Sequence, residues 1–188
     1  MKKVTTVLLS LAAVASIGSS AVVQAQVSNP VKFTVFGGAA LPVGDTRTDL
    51  KTGYSVGGAA DLRAPLSPIG VRGELVYSSL DSKDTGGLGS ASMSDFGGNA
   101  NIVFWLPNPG SPLTAYLTGG PSYSHLTAKA SAGNVTESAS TNQWGFNVGA
   151  GIDFALSGLS TRLDVRYRRL SGDGGATQYI PITFGVTF

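Results

Sequence analysis

The chain has 188 residues, no cysteine and one histidine, and its 13 Lys and Arg against 11 Asp and Glu give a formal net charge of +2. The lack of cysteine excludes disulfides and thiolate metal sites, and so small a basic excess gives no reason to expect nucleic-acid binding.

Residues 1–25 are predicted to be a secretory signal peptide that directs export. Two lysines precede an apolar stretch (residues 4–18), and the Val-Gln-Ala at 23–25 fits cleavage before Gln26. A membrane anchor is the alternative, but the apolar stretch is short for a span of about 20 residues. Removing both lysines leaves residues 26–188 with equal numbers of basic and acidic side chains, in what is predicted to be one domain.

Eight segments of residues 26–188 alternate between apolar and polar side chains, the strand period, and each is near the length that a tilted strand needs to cross a bilayer. They are residues 31–40, 53–62, 69–78, 95–105, 113–124, 143–154, 161–170 and 179–188. Short turns alternate with longer connections rich in Gly, Ser, Thr and Asp. This asymmetry predicts an all-β fold: an eight-stranded, antiparallel, up-and-down transmembrane β-barrel with both ends of the chain on the short-turn side.

One side of each strand is predicted to face lipid, and its aromatic residues fall at two heights, as the two lipid–water interfaces favour. The short-turn girdle comprises Phe33, Phe104, Phe154 and Phe188, and the long-loop girdle comprises Tyr54, Tyr77, Phe96, Tyr123 and Trp144. A soluble β-sandwich is the alternative, but it gives aromatic residues less reason to sort by height.

The opposite side is polar and is predicted to fill the lumen, since eight strands enclose a space just wide enough for side chains. The expected lumen charge network is Lys32, Asp61, Arg72, Glu74, Asp95, Asp153, Arg162, Asp164, Arg166 and Arg168. Five basic and five acidic groups favour a paired plug over the ring of one sign found in selective channels. A narrow conducting path through these charges is the alternative.

The candidate catalytic residues are Ser122, Ser124, His125 and Glu137. A lipid A-modifying hydrolase would require a serine within hydrogen-bonding distance of a histidine. Adjacent residues of a strand point to opposite faces, so Ser124 and His125 do not face each other. The sequence therefore predicts no enzyme, and it predicts no cofactor or metal, because Asp81 and Asp84 do not fit an EF-hand.

The second and third long connections, residues 79–95 and 125–142, are predicted to be flexible loops. Loops of small barrels are where partners bind, so an extracellular ligand is expected there. Arg169, near the outer rim, is a candidate contact for lipopolysaccharide phosphate.

Four stretches resemble the small eight-stranded outer-membrane β-barrel family, the OmpA, OmpX and opacity-protein group: YLTGG (116–120), GFNVGAGIDF (145–154), LDVRYRR (163–169) and TFGVTF (183–188). The resemblance implies a monomer in the outer membrane of a Gram-negative-type bacterium, in contact with membrane lipid and lipopolysaccharide. Members act in adhesion, host-factor binding or envelope integrity. The expected function is therefore that of a structural or surface-interaction protein acting through its four external loops. A low-conductance channel is the alternative, and a lipid A-modifying enzyme is third.

The resemblance also implies that a last strand ending in an aromatic residue is the signal read by the outer-membrane assembly machinery. Here Phe184, Val186 and Phe188 would carry it. Pro181 lies inside this strand and has no backbone N–H, so a bulge or a missing ladder bond is expected there.

Overall fold

A computed structural model describes residues 31–82, 90–132, 135–155, 159–172 and 175–188. The predicted signal peptide and its cleavage site lie outside these residues. Within them, no helix is long and apolar enough to cross a membrane.

Eight strands and one helical turn form the described structure. They are β1 (Val31–Pro42), α1 (Thr46–Asp49), β2 (Gly53–Arg63), β3 (Ile69–Asp81), β4 (Ser90–Trp105), β5 (Leu113–Ala132), β6 (Val135–Ala155), β7 (Ser160–Gly172) and β8 (Gly175–Thr187). Each strand pairs antiparallel with the next, and β8 pairs with β1 to close the sheet. The predicted eight-stranded up-and-down barrel is confirmed.

The barrel is apolar outside and polar inside, the reverse of a water-soluble domain. Leu75 and Ile102 are 63% and 64% exposed on the outer face, whereas Arg72 and Arg168 are 1% and 2% exposed inside. This inversion suits lipid, because a closed sheet satisfies its backbone hydrogen bonds internally and presents apolar side chains to the acyl chains.

The aromatic residues of both predicted girdles lie on the outer face. At the long-loop end, the rings of Tyr123 and Trp144 are 4.7 Å apart, and those of Tyr54 and Tyr77 are 6.1 Å apart. At the opposite end, the backbones of Phe33 and Phe188 exchange two hydrogen bonds, of 3.1 and 2.9 Å.

The prediction of flexible loops at residues 79–95 and 125–142 is wrong for most of their length. β3 runs to Asp81, β4 starts at Ser90, and β5 and β6 pair up to Ala132 and Val135. These extensions of β4, β5 and β6 form a three-stranded sheet beyond the barrel, which we call the external sheet (residues 90–94, 126–132 and 135–142). The residues there are mostly small and polar, so the apolar alternation that revealed the other strands is missing. Residues 83–89, which include Asp84, lie outside the described part.

Two prolines interrupt the ladder without shifting its register. Val165 pairs with Ile182 and Arg168 with Tyr179, but the two pairs between them, beside Pro181, are missing. The sequence predicted either a bulge or a missing ladder bond at Pro181. In the structure the ladder pairs are absent there, and no bulge forms. The pairing of β4 with β5 is interrupted in the same way beside Pro121, which the sequence analysis did not foresee.

Variants of Phe188 can distinguish its backbone contribution to barrel stability from the contribution of its ring to assembly in cells. Phe188→Ala keeps both backbone bonds to Phe33 and removes only a ring that is 63% exposed. We expect it to lower the amount of barrel assembled in the outer membrane, with little change in the free energy of unfolding in detergent. Deleting Phe188 should lower assembly and also reduce stability by about 1–3 kcal/mol, since two hydrogen bonds are lost. Assembly of Phe188→Ala at the wild-type level would show that the ring is not part of the assembly signal.

Candidate functional site: the lumen and the external sheet

β7 supplies three of the four buried arginines of the lumen, and β3 supplies Arg72. Its inward positions run Arg162, Asp164, Arg166 and Arg168 from the short-turn end toward the long-loop end, because alternate residues of a strand face the same way. β2, β3, β4 and β6 contribute the carboxylates that meet them.

Arg72 and Arg162 share one carboxylate near the short-turn end. Arg72 Nε donates to Asp61 Oδ1 at 2.5 Å, and Arg162 Nη1 donates to Asp61 Oδ2 at 2.8 Å. Arg162 Nε also donates to Asp153 Oδ1 at 2.6 Å. These bonds connect β2, β3, β6 and β7 across the lumen.

The middle of the lumen is organised around Glu74 and Asp164. Arg166 donates to both carboxylates, through Nε to Asp164 Oδ1 at 2.5 Å and through Nη1 to Glu74 Oε2. The Tyr116 hydroxyl donates to Asp164, and the Tyr116 ring lies 4.7 Å from the guanidinium carbon of Arg72. We call the set Asp61, Arg72, Glu74, Asp153, Arg162, Asp164 and Arg166 the central network.

A second cluster lies nearer the long-loop end. Arg168 Nη1 donates to Asp95 Oδ2 at 3.0 Å and to the Tyr179 hydroxyl at 2.5 Å, and its Nη2 donates to Ser124 Oγ at 2.6 Å. Tyr179 in turn donates to Asp95 at 2.7 Å. Tyr179 was not predicted as a lumen residue, although it lies an odd number of positions before the lipid-facing Phe188 and therefore falls on the inner face. We call Asp95, Arg168 and Tyr179 the Arg168 cluster.

Lys32 does not join the predicted charge network. It is exposed at the start of β1, and no carboxylate among the described residues forms an ion pair with it. At the mouth of the barrel water solvates the ammonium group, whereas Asp61, which lies opposite in the register, is engaged by two arginines. The buried network therefore has four arginines and five carboxylates, and the Asp153 side chain is 21% exposed.

Two inward glycines make room for the large side chains of the lumen. A Cβ at Gly151 would lie 2.3 Å from the Tyr116 hydroxyl oxygen. A Cβ at Gly97 would lie 2.2 Å from Ser124 Oγ and 2.8 Å from Arg168 Nη2. Gly151, within the stretch GFNVGAGIDF (145–154), thus has a packing role.

Two clusters of buried apolar side chains, which we call the apolar layers, lie in the lumen, one toward each end. Val103, Trp105 and Tyr116 pack together at the short-turn end, where Trp105 Nε1 donates to Asp153 at 3.3 Å. At the long-loop end the layer is Ala40, Leu80, Leu126, Leu170 and Tyr179, with Leu50 and Met93 packed against it. The alternation of the sequence predicts a polar interior throughout and reveals neither apolar layer, because one or two inward apolar residues at a strand end do not alter that alternation.

The candidate serine and histidine residues lie apart. Ser124 Oγ is buried in the lumen, where it accepts a hydrogen bond from Arg168, and Ser122 also faces inward. His125 is on the outer face, where its Nδ1 lies 2.8 Å from Asn142 Oδ1. The strand alternation predicted this separation, and no serine–histidine pair forms at this position.

An open cup of about 540 Å³ lies at the long-loop end, within the size range of small-molecule pockets. Its apolar lining includes Leu50, Met93, Ala128, Ala130 and Ala139. Lys129 and Glu137 of the external sheet also line it, so the cup joins the barrel mouth to that sheet.

A family model described as an outer membrane protein beta-barrel domain matches residues 9–188. Several solved structures share the fold, including the following three. Neisserial surface protein A is 14% identical with a TM-score of 0.58, covering 85% of this chain and 96% of that one. A major outer membrane protein from Thermus thermophilus is 18% identical with a TM-score of 0.57, covering 85% and 99%. The attachment invasion locus protein Ail of Yersinia pestis, solved with the heparin analogue sucrose octasulfate, is 16% identical with a TM-score of 0.51, covering 85% and 100%. No curated protein sequence matches the chain.

The contrast between Arg72 and Lys32 tests the energetic importance of the network. Arg72→Met leaves Asp61 without one of its arginines and removes a cation 3.8 Å from Asp164. We expect it to lower the free energy of unfolding by about 3–5 kcal/mol, the cost of a buried, uncompensated charge. Lys32→Met makes the same chemical change at the solvated mouth and should alter stability by less than about 0.5 kcal/mol. Urea unfolding in lipid vesicles measures both, and equal losses would contradict the assignment.

Proposed function

The chain belongs to the outer membrane protein beta-barrel domain family, and we propose that it is a surface-interaction protein whose barrel is a closed scaffold for the external sheet. Family membership implies the outer membrane of a Gram-negative bacterium as its location. Export by the predicted signal peptide and insertion by the assembly machinery would bring it there, and the long-loop end would face the outside.

The free edge of β6 is the observation that carries this proposal. β7 pairs with β6 only from Trp144 onward, so among the described residues no strand pairs with residues 135–142 on that side. A strand edge of this kind presents unpaired N–H and C=O groups, which can form a ladder with an extended segment of another polypeptide. The exposed side chains of Ser138 and Ser140 are small and leave that edge accessible.

The contents of the lumen favour a role outside the barrel over a low-conductance channel. Its arginines are engaged by carboxylates, and the apolar layers around Trp105 and Leu170 close both ends. A channel would instead need a continuous polar path lined by groups that remain available to ions.

Membrane lipid and lipopolysaccharide are proposed as the permanent surroundings of the barrel. Arg169 is exposed on the outer face of β7, opposite Phe146 in the register and close to the long-loop girdle. An arginine at that height can reach headgroup phosphates while its aliphatic stem lies against apolar side chains.

Removing most of the external sheet, including most of the free edge of β6, while keeping the barrel tests the proposal. Thr127 and Ser140 are directly opposed in the register, so residues 128–139 can be replaced by Asn-Gly in a two-residue hairpin turn. Bacteria carrying this variant should adhere to cultured epithelial cells no better than bacteria without the barrel, whereas the full chain should increase adherence. Surface labelling must show equal amounts of both barrels.

Replacing Ser138 and Ser140 by threonine provides the matched control. Threonine favours extended backbone and leaves every N–H and C=O of the edge in place, so this variant should adhere like the full chain. Wild-type adherence by the shortened hairpin would contradict the proposal, as would a full chain that adds no adherence.

A further inference from the structure

A small cavity separates the central network from the Arg168 cluster. Its volume is about 20 Å³, and its lining includes Asp164 and Arg166 of the central network and Arg168 of the Arg168 cluster. Pro181 also lines it, at the point where the pairing of β7 with β8 is interrupted. A volume of roughly 10–15 Å³ is enough for one water molecule.

Three lining residues each carry a buried polar atom that has no protein partner. These atoms are Asn99 Oδ1, Asn147 Oδ1 and Arg168 Nε. Asn99, Asn147 and Arg168 are 8%, 2% and 2% exposed, so bulk water does not satisfy them. A buried polar atom without a hydrogen-bond partner destabilises the folded state, so such atoms are rare. Three of them on residues that line one cavity therefore indicate a missing hydrogen-bond partner.

The orientation of each group is fixed by its other bonds. Asn99 Nδ2 donates to Glu74 Oε2 at 3.0 Å, and Asn147 Nδ2 donates to Asn101 Oδ1 at 2.8 Å, so both amide oxygens are the unpaired atoms. Arg168 donates through Nη1 to Asp95 and through Nη2 to Ser124, and its Nε–H remains an unused donor. The residues that line the cavity thus carry two unpaired acceptors and one unpaired donor.

We propose that this cavity is a binding site for a single water molecule, which donates to Asn99 Oδ1 and Asn147 Oδ1 and accepts from Arg168 Nε. Water supplies two donors and two acceptor lone pairs, so it matches all three atoms. A cation would face the guanidinium groups of Arg166 and Arg168, and an anion would face Asp164 and two amide oxygens. Neither ion matches the site.

The bound water joins the two charge clusters into one hydrogen-bonded core. Asn99 is bonded to Glu74 of the central network, and Arg168 belongs to the other cluster, so the water links β4, β6 and β7 where Pro181 has removed ladder bonds. Apolar layers above and below would make this water slow to exchange with the solvent.

A crystal structure of the refolded chain at a resolution that shows ordered water tests the site directly. The proposal predicts one peak of density within hydrogen-bonding distance of all three atoms. A cavity without density, where the surrounding side chains are well ordered, would overturn it. Density that refines as a metal ion or chloride would overturn it too.

The substitution Val76→Ile distinguishes a cavity that holds a water molecule from an empty one. Val76 lines the cavity, and the added methylene would displace the water and leave the three atoms unpaired. We expect a lower urea midpoint and loss of the density, whereas a dry cavity would gain contacts and keep or raise the midpoint. Val71→Ile, on the lipid face of the same strand, should leave both the midpoint and the density unchanged. A Val76→Ile variant that is as stable as the wild type would contradict the proposal.

Discussion

The ion pairs between arginines and carboxylates inside the barrel are the interaction on which the rest of the structure depends. A guanidinium group removed from water costs several kcal/mol unless carboxylates meet it with good geometry. Arg162 meets Asp61 of β2, and Arg166 meets Glu74 of β3, across strands far apart in sequence. Asp153 of the adjacent β6 and Asp164 of β7 itself complete these pairs. A one-residue slip of any of these strands would turn its charges toward lipid. The pairs therefore fix the register of the barrel.

The crowding of these pairs determines what the barrel can do. Tyr116 and Arg168 fit only because Gly151 and Gly97 leave space for them, and apolar layers cover the charges at both ends. A lumen filled in this way has little room for a permeating solute. The exposed, less constrained parts of the chain are at the long-loop end, where β4, β5 and β6 continue beyond the barrel with one edge of β6 unpaired. Binding at that edge requires no change in the lumen.

The sequence revealed the membrane-spanning part of the fold because lipid enforces strict alternation there. It placed Arg72, Asp164 and Arg168 in the lumen and Tyr123 and Trp144 outside for that reason. It failed where water replaces lipid: Lys32 has the parity of a lumen residue, but lies at the mouth and is solvated. The strands of the external sheet were not predicted, because their Ser, Thr and Ala residues contact water on both faces. Such residues show no alternation between apolar and polar side chains. Which arginine meets which carboxylate, such as Arg168 with Asp95, depends on distances across the barrel that alternation does not encode.

Single-channel recording tests the closed lumen most directly. Refolded protein, inserted into planar lipid bilayers with its folded state verified, should produce no reproducible unitary currents across the range of voltages that the bilayer withstands. A large-pore porin reconstituted in the same way serves as the positive control. Reproducible unitary currents from the wild-type barrel, with an ion selectivity that changes in Asp95→Asn, would contradict the account, because ions would then be passing through the buried network.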